Sequence, residues 1–184
     1  MFRFWVTVLS VVFAFAATVS AQRGDRGKEK QPETWKKFDV PPAPPLKPDE
    51  AMKTFKVAPG FKLELFASEP LVVDPVAMAW DGDGRCWVVE MRGYMPNVDG
   101  KGETELKVGQ VVVLEDTDWD GKADKSTVFL DGLIMPRAIA MVEGGVLVSE
   151  PSNLWYCQDT DGDLKCDKKT RVGKYARQGP VEHT

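Results

Sequence analysis

Two stretches of this chain carry carboxylates at a spacing suited to a hard cation. Asp116, Asp118, Asp120 and Asp124 fall at positions 1, 3, 5 and 9 of one loop, with Gly121 at the sharp-turn position 6. Lys122 between them would offer only its backbone carbonyl. Asp159, Asp161, Asp163 and Asp167 repeat the pattern 43 residues later. Four carboxylates within nine residues repel one another unless a cation neutralises them, and calcium is the ion that alternating oxygen ligands suit. Two features depart from the strongest loops of this kind. Position 12, where a bidentate acid would stand, holds Thr127 and Thr170, and Leu164 replaces the turn glycine of the second loop. On the plainer alternative, Asp and Gly are simply good turn formers on a solvated rim. On either alternative these loops stabilise rather than catalyse.

Two other groups could do chemistry. The one histidine, His183, follows Glu182. A carboxylate neighbour raises the basicity of an imidazole, and such a pair can take a proton from a hydroxyl, although a lone histidine in a polar segment also fits plain surface. Cys157 ends a predicted strand and Cys166 sits in the second Asp loop, so a hairpin could bring them together as a disulfide. Closing that ten-residue loop would stabilise the fold by about 2.7 kcal/mol on the chain-entropy account. Cys86 is then left over as a buried thiol, and with no CxxCH the chain has no attachment site for a c-type haem.

The elements that must position these groups read as short strands. Residues 62–66, 76–80, 85–91, 110–115, 126–130, 137–142, 146–150 and 154–157 are β-rich and separated by Gly, Asp and Pro, and nothing sustains a helical period beyond a possible turn over 50–55. A second self-similarity pairs Pro75-Val-Ala-Met-Ala-Trp, running to Glu90, with Pro136-Arg-Ala-Ile-Ala-Met, running to Glu150. Repeats of about 40–45 residues made of short strands are the mark of β-propeller blades. The fold class expected is therefore all-β, a partial propeller of two to three blades belonging to a larger ring, with residues 92–108 as a loop insertion. An eight-stranded sandwich is the alternative. Trp80, Trp87 and Trp155 are expected in the core between blades, Trp119 in solvent, and the WDGDGR run from Trp80 to Arg85 as a plain tight turn.

The first fifty residues read differently. A short basic start, an apolar run to Ala17 and small residues before Gln22 make residues 1–21 a signal peptide, and residues 22–50 are a polar, then proline-rich, linker. The blades occupy 51–184. Export to the periplasm or cell surface follows. Removing 1–21 leaves 23 basic against 28 acidic residues, a net charge of minus five, so nothing draws the chain to nucleic acid.

The runs PGFKLELFASEPLVVDPVAMAWDGDGRCWVVEMRGY and GQVVVLEDTDWDGKADKSTVFLDGL resemble the N-terminal region of the membrane-bound dehydrogenase proteins of planctomycetes and verrucomicrobia. The propeller of that family is similar to the glucose and sorbosone dehydrogenases, which use pyrroloquinoline quinone. The resemblance covers residues 50–184 and implies a sugar or alcohol substrate, with His183 as general base oriented by Glu182. It further implies electron transfer to a cytochrome, with haem c in a C-terminal part beyond these residues, and membrane association of the full-length protein. A non-catalytic propeller, braced by calcium and binding carbohydrate or protein at the cell surface, is the competing expectation.

Overall fold

The computed structural model describes residues 44–97 and 102–174, all within one compact unit, Asp39–Thr184; the other unit, Met1–Phe38, lies outside the described residues. The expected signal peptide and most of the expected linker are therefore outside them, as are Glu182 and His183. Among the described residues no helix is long and apolar enough to cross a membrane.

The chain is mostly β, as its strand pattern predicts. One helical turn, α1 (Pro48–Met52), precedes eight strands: β1 (Pro75–Trp80), β2 (Cys86–Glu90), β3 (Gly109–Glu115), β4 (Lys125–Leu133), β5 (Ala138–Val142), β6 (Gly145–Glu150), β7 (Asn153–Gln158) and β8 (Lys168–Lys174). They form two antiparallel four-stranded meanders, β1-β2-β3-β4 and β5-β6-β7-β8, every neighbour being next in sequence. Helix α1 starts inside the expected linker because Pro48 suits a first helical position and Glu50 Oε2 accepts the Lys47 N–H at 3.3 Å.

The apolar run VVVL of β3 is continuous rather than alternating because the first sheet is covered on both faces. On one face Trp87, Val89, Val111, Val113, Phe129 and Leu133 meet Val146, Val148 and Cys157 of the second sheet. On the other, Cys86, Val88, Val112, Leu114 and Ala123 lie under Phe66, Ala67, Leu71 and Val72. The two sheets approach most closely at their first strands, β1 and β5.

Three expectations are corrected. Residues 62–66 form no strand, since no described strand lies beside them and only the Phe66 carbonyl is tied to the first Asp loop through Ala123. Residues 168–174 form a strand that their polar, exposed sequence KKTRVGK does not signal, because an outer strand buries almost nothing. Trp80 is not core: it is 50% exposed, with its ring edge-on to that of Phe66 at 5.0 Å. The helical turn expected over 50–55 does form, as α1 (Pro48–Met52) followed by turn bonds that reach the Phe55 N–H. Trp87 is buried against Phe129, rings 4.7 Å apart, and Trp119 is 81% exposed.

Candidate metal loops and their supports

In a meander, alternate hairpins share one edge. The β1–β2, β3–β4, β5–β6 and β7–β8 connections therefore crowd the same rim, and the two Asp loops are the longest of them.

The loops are duplicates in hydrogen bonding as well as in sequence. In the first, Gly121 N–H donates to Asp116 Oδ2 at 2.9 Å, Lys122 N–H to Asp120 Oδ1 at 2.8 Å, and Asp120 N–H to Asp118 Oδ1 at 3.3 Å. In the second, Leu164 N–H donates to Asp159 Oδ2 at 2.9 Å, Lys165 N–H to Asp163 Oδ1 at 2.8 Å, and Asp163 N–H to Asp161 Oδ1 at 3.3 Å. The position-9 carboxylates, Asp124 and Asp167, each take the N–H and hydroxyl of a threonine at position 2, Thr117 and Thr160. Each loop is also tied to the segment before its own sheet: Ala123 N–H donates to the Phe66 carbonyl and Cys166 N–H to the Phe129 carbonyl, both at 2.8 Å.

Leu164 does not spoil this frame. Both loops turn through left-handed residues at positions 4 and 6, Trp119 (φ 62°) and Gly121 (φ 89°) in the first, Gly162 (φ 86°) and Leu164 (φ 62°) in the second. Each loop supplies one glycine and accepts one strained residue, at opposite positions.

The carboxylates converge in two trios. Oxygen atoms of Asp116, Asp118 and Asp120 lie within 4.8 Å of one another, as do those of Asp159, Asp161 and Asp167. Asp124 lies outside the first trio although its threonine bonds match those of Asp167, and Asp163 is claimed by Lys165, whose Nζ lies 2.9 Å from its second oxygen. The first loop thus offers positions 1, 3 and 5, the second positions 1, 3 and 9. An oxygen that accepts one N–H keeps a second lone pair, so the donor set fits a hard cation. Partial desolvation pushes the pKa of Asp159 up, but four backbone N–H groups outweigh this and hold its carboxyl below the ordinary value.

Sequence reasoning missed two supports. The WDGDGR run is more than a turn. Asp81 accepts the backbone N–H groups of Asp83 and Arg85, both at 2.9 Å, Arg85 Nε at 2.7 Å and Trp87 Nε1 at 2.9 Å. Its burial opposes ionisation, and these donors, Trp87 foremost, overcome it and lower its pKa. An acid six residues before a core tryptophan was the available signal. At the other rim, Glu90 and Glu150 close the second strand of each sheet. Glu90, fully buried, accepts Val73 N–H at 2.8 Å and pairs with Arg92 at 2.8 Å; Glu150 accepts Ile134 N–H at 3.0 Å and Trp155 Nε1 at 2.7 Å.

The hairpin brings Cys157 and Cys166, the pair considered for a disulfide, into hydrogen-bonding reach as free thiols. Burial, then the neighbouring Cys166, pushes the Cys157 thiol up to about 12. Cys86 is the buried thiol expected of it. A cleft of about 510 Å³ separates the rim of the first sheet from the second Asp loop, with Asp81, Arg85, Gly144 and Asp159 on its walls.

The family described as a domain of unknown function (DUF7133) matches residues 47–183 of the chain. No curated protein and no solved structure matches it.

Proposed function

The chain belongs to the DUF7133 family, and from that premise we propose that its two sheets are consecutive blades of a β-propeller whose Asp loops bind calcium and brace one blade against the next. The observation that carries this is the tie between loop and neighbour: the residue before the position-9 aspartate donates to the Phe129 carbonyl of the preceding sheet, so fixing the second loop fixes the contact between sheets. The close approach of β1 to β5 supports a fan of blades about an axis, and the duplicated loop supports a repeat. Asp116, Asp118 and Asp120 would hold one ion and Asp159, Asp161 and Asp167 the other. Bound calcium would neutralise the converging carboxylates. Calcium titration of the intact protein by calorimetry tests this, two sites being expected and none refuting it.

A second reading is favoured by the Glu182-His183 pair and by the resemblance to sugar dehydrogenases. On it, the propeller belongs to an exported, membrane-associated oxidoreductase that oxidises a sugar or alcohol with pyrroloquinoline quinone and passes electrons to a cytochrome haem. His183 would take the hydroxyl proton and Glu182 would orient its ring. Titration of the quinone into the full-length protein, with calcium present and chelated, separates the two readings. Stoichiometric binding lost in His183→Ala supports the dehydrogenase; no binding in either condition leaves a calcium-braced recognition module for carbohydrate or protein.

A further inference from the structure

The segment that leads into β1 copies the strand that leads into β5. The Phe66 carbonyl accepts the Ala123 N–H as the Phe129 carbonyl accepts the Cys166 N–H, each at 2.8 Å. Further along, Val73 N–H reaches the buried Glu90 at 2.8 Å as Ile134 N–H reaches Glu150 at 3.0 Å. The next residues, Asp74 (φ 48°) and Met135 (φ 49°), turn through the same left-handed conformation. Residues 62–66 therefore stand where the first half of β4 stands, but with a difference. β4 is hydrogen-bonded along its length to β3, whereas residues 62–66 have no strand beside them among the described residues.

We infer that residues 62–66 are the outer strand of a third sheet, and that the surface beside them docks a three-stranded antiparallel sheet of the same repeat carried by the same polypeptide. The partner's kind follows from the two sheets already present. Each has four strands with its own outer strand in place, β4 and β8, so a second copy of this chain would bring a strand for which the position is taken. A sheet of three strands fits. Its facing side is apolar, because the side of β1 left open presents Val76 and Met78 above a groove of about 960 Å³ that reaches Phe55 and Leu63. In the second sheet Ile139, the equivalent of Met78, packs against the first, as does Met141, the equivalent of the half-exposed Trp80. The strand that pairs with 62–66 ends in a side chain that accepts from Lys62: its counterpart Lys125 pairs with Glu115 at the end of β3, at 2.6 Å. Here Lys62 has only Glu64 of its own segment, also at 2.6 Å.

The propeller reading supplies the source of the third sheet, and the test separates the two claims. Amide hydrogen exchange is followed by mass spectrometry on the intact polypeptide, comparing peptides over 61–68 and 125–133. Protection of both, at least about a hundredfold over unstructured chain, is expected. Complete exchange of 61–68 within seconds while 125–133 stays protected overturns the inference, and so does protection that vanishes on dilution, which would mean pairing with a second copy. Electron micrographs of the same sample read the ring separately. A ring with rapid exchange at 62–66 leaves the propeller standing without this strand; protection in an elongated particle supports the strand pairing and overturns the ring.

Discussion

Replacing Asp118 by Asn should change stability in opposite directions with and without calcium. In the first loop the oxygens of Asp116, Asp118 and Asp120 lie within 4.8 Å of one another. At that separation each pair of charges in water repels by about 0.9 kcal/mol. Asp118→Asn removes two of the three pairs, about 1.7 kcal/mol, which screening at physiological salt cuts to about 1 kcal/mol. The amide keeps a carbonyl oxygen to accept the Asp120 N–H, so the loop loses no hydrogen bond. In chelator the variant should therefore melt a few degrees above the parent. In calcium the order reverses. An ion at a hundred times its dissociation constant stabilises the parent by about 2.7 kcal/mol, and the variant, one ligand short, gains much less. The assay is thermal unfolding followed by circular dichroism in chelator and in calcium, with both proteins also carrying Asp161→Asn to silence the second loop. A variant less stable than the parent in chelator, or an equal gain from calcium in both, would refute the argument that convergence of charge is what the ion relieves.

Other consequences can be checked alongside. Lys165→Met should release Asp163 and raise the calcium affinity of the second loop several-fold, read by calorimetry with the first loop silenced by Asp118→Asn. Asp81→Ala should cost about 2–4 kcal/mol in urea unfolding, because it strands the buried Trp87 N–H and frees Arg85, whereas Asp83→Ala on the exposed side should cost under about 0.5 kcal/mol. Since the folded protein lowers the pKa of Asp81, its contribution is full above the unfolded value near pH 4 and fades as pH falls through the folded one. The parent should therefore lose stability with acid more steeply than Asp81→Ala. Iodoacetamide at pH 8 should alkylate Cys166 before Cys157, whose burial and high pKa leave almost no thiolate; peptide mapping showing Cys157 modified first would contradict that environment.

The parts of this fold legible in the sequence were those where a local pattern has one physical cause. Strands β1 to β7 announce themselves because each covers at least part of one face and is bounded by turn residues. β8 does not, because its side chains face water and it is held by backbone pairing with β7, which leaves no trace in residue type. The same cause in reverse misplaced 62–66, whose alternating Lys-Leu-Glu-Leu-Phe reads as a strand although nothing described pairs with it. The Asp loops were legible as a spacing. Which oxygens converge was not, since in the second loop that depends on Lys165 diverting Asp163.

The position of the glycine shows why a motif and a conformation must be kept apart. By sequence the second loop lacks its turn glycine, and a cation loop without one is expected to bind weakly. The backbone of Leu164 nevertheless takes the same left-handed turn as Gly121, and its N–H lies the same 2.9 Å from the position-1 carboxylate. Such a conformation costs a non-glycine residue about 1 kcal/mol or more. Leu164 offsets it by packing its side chain against the core between the sheets, where a glycine would leave a gap. The first loop makes the opposite exchange, spending its glycine at position 6 and leaving the exposed Trp119 strained at position 4. Leu164→Gly should therefore relax the loop yet destabilise the contact between sheets by more than it gains, lowering the melting temperature in calcium and in chelator alike. A rise in chelator would mean that the strain at Leu164 outweighs its packing, and that the second loop is held in shape by the ion instead of by the core beneath it.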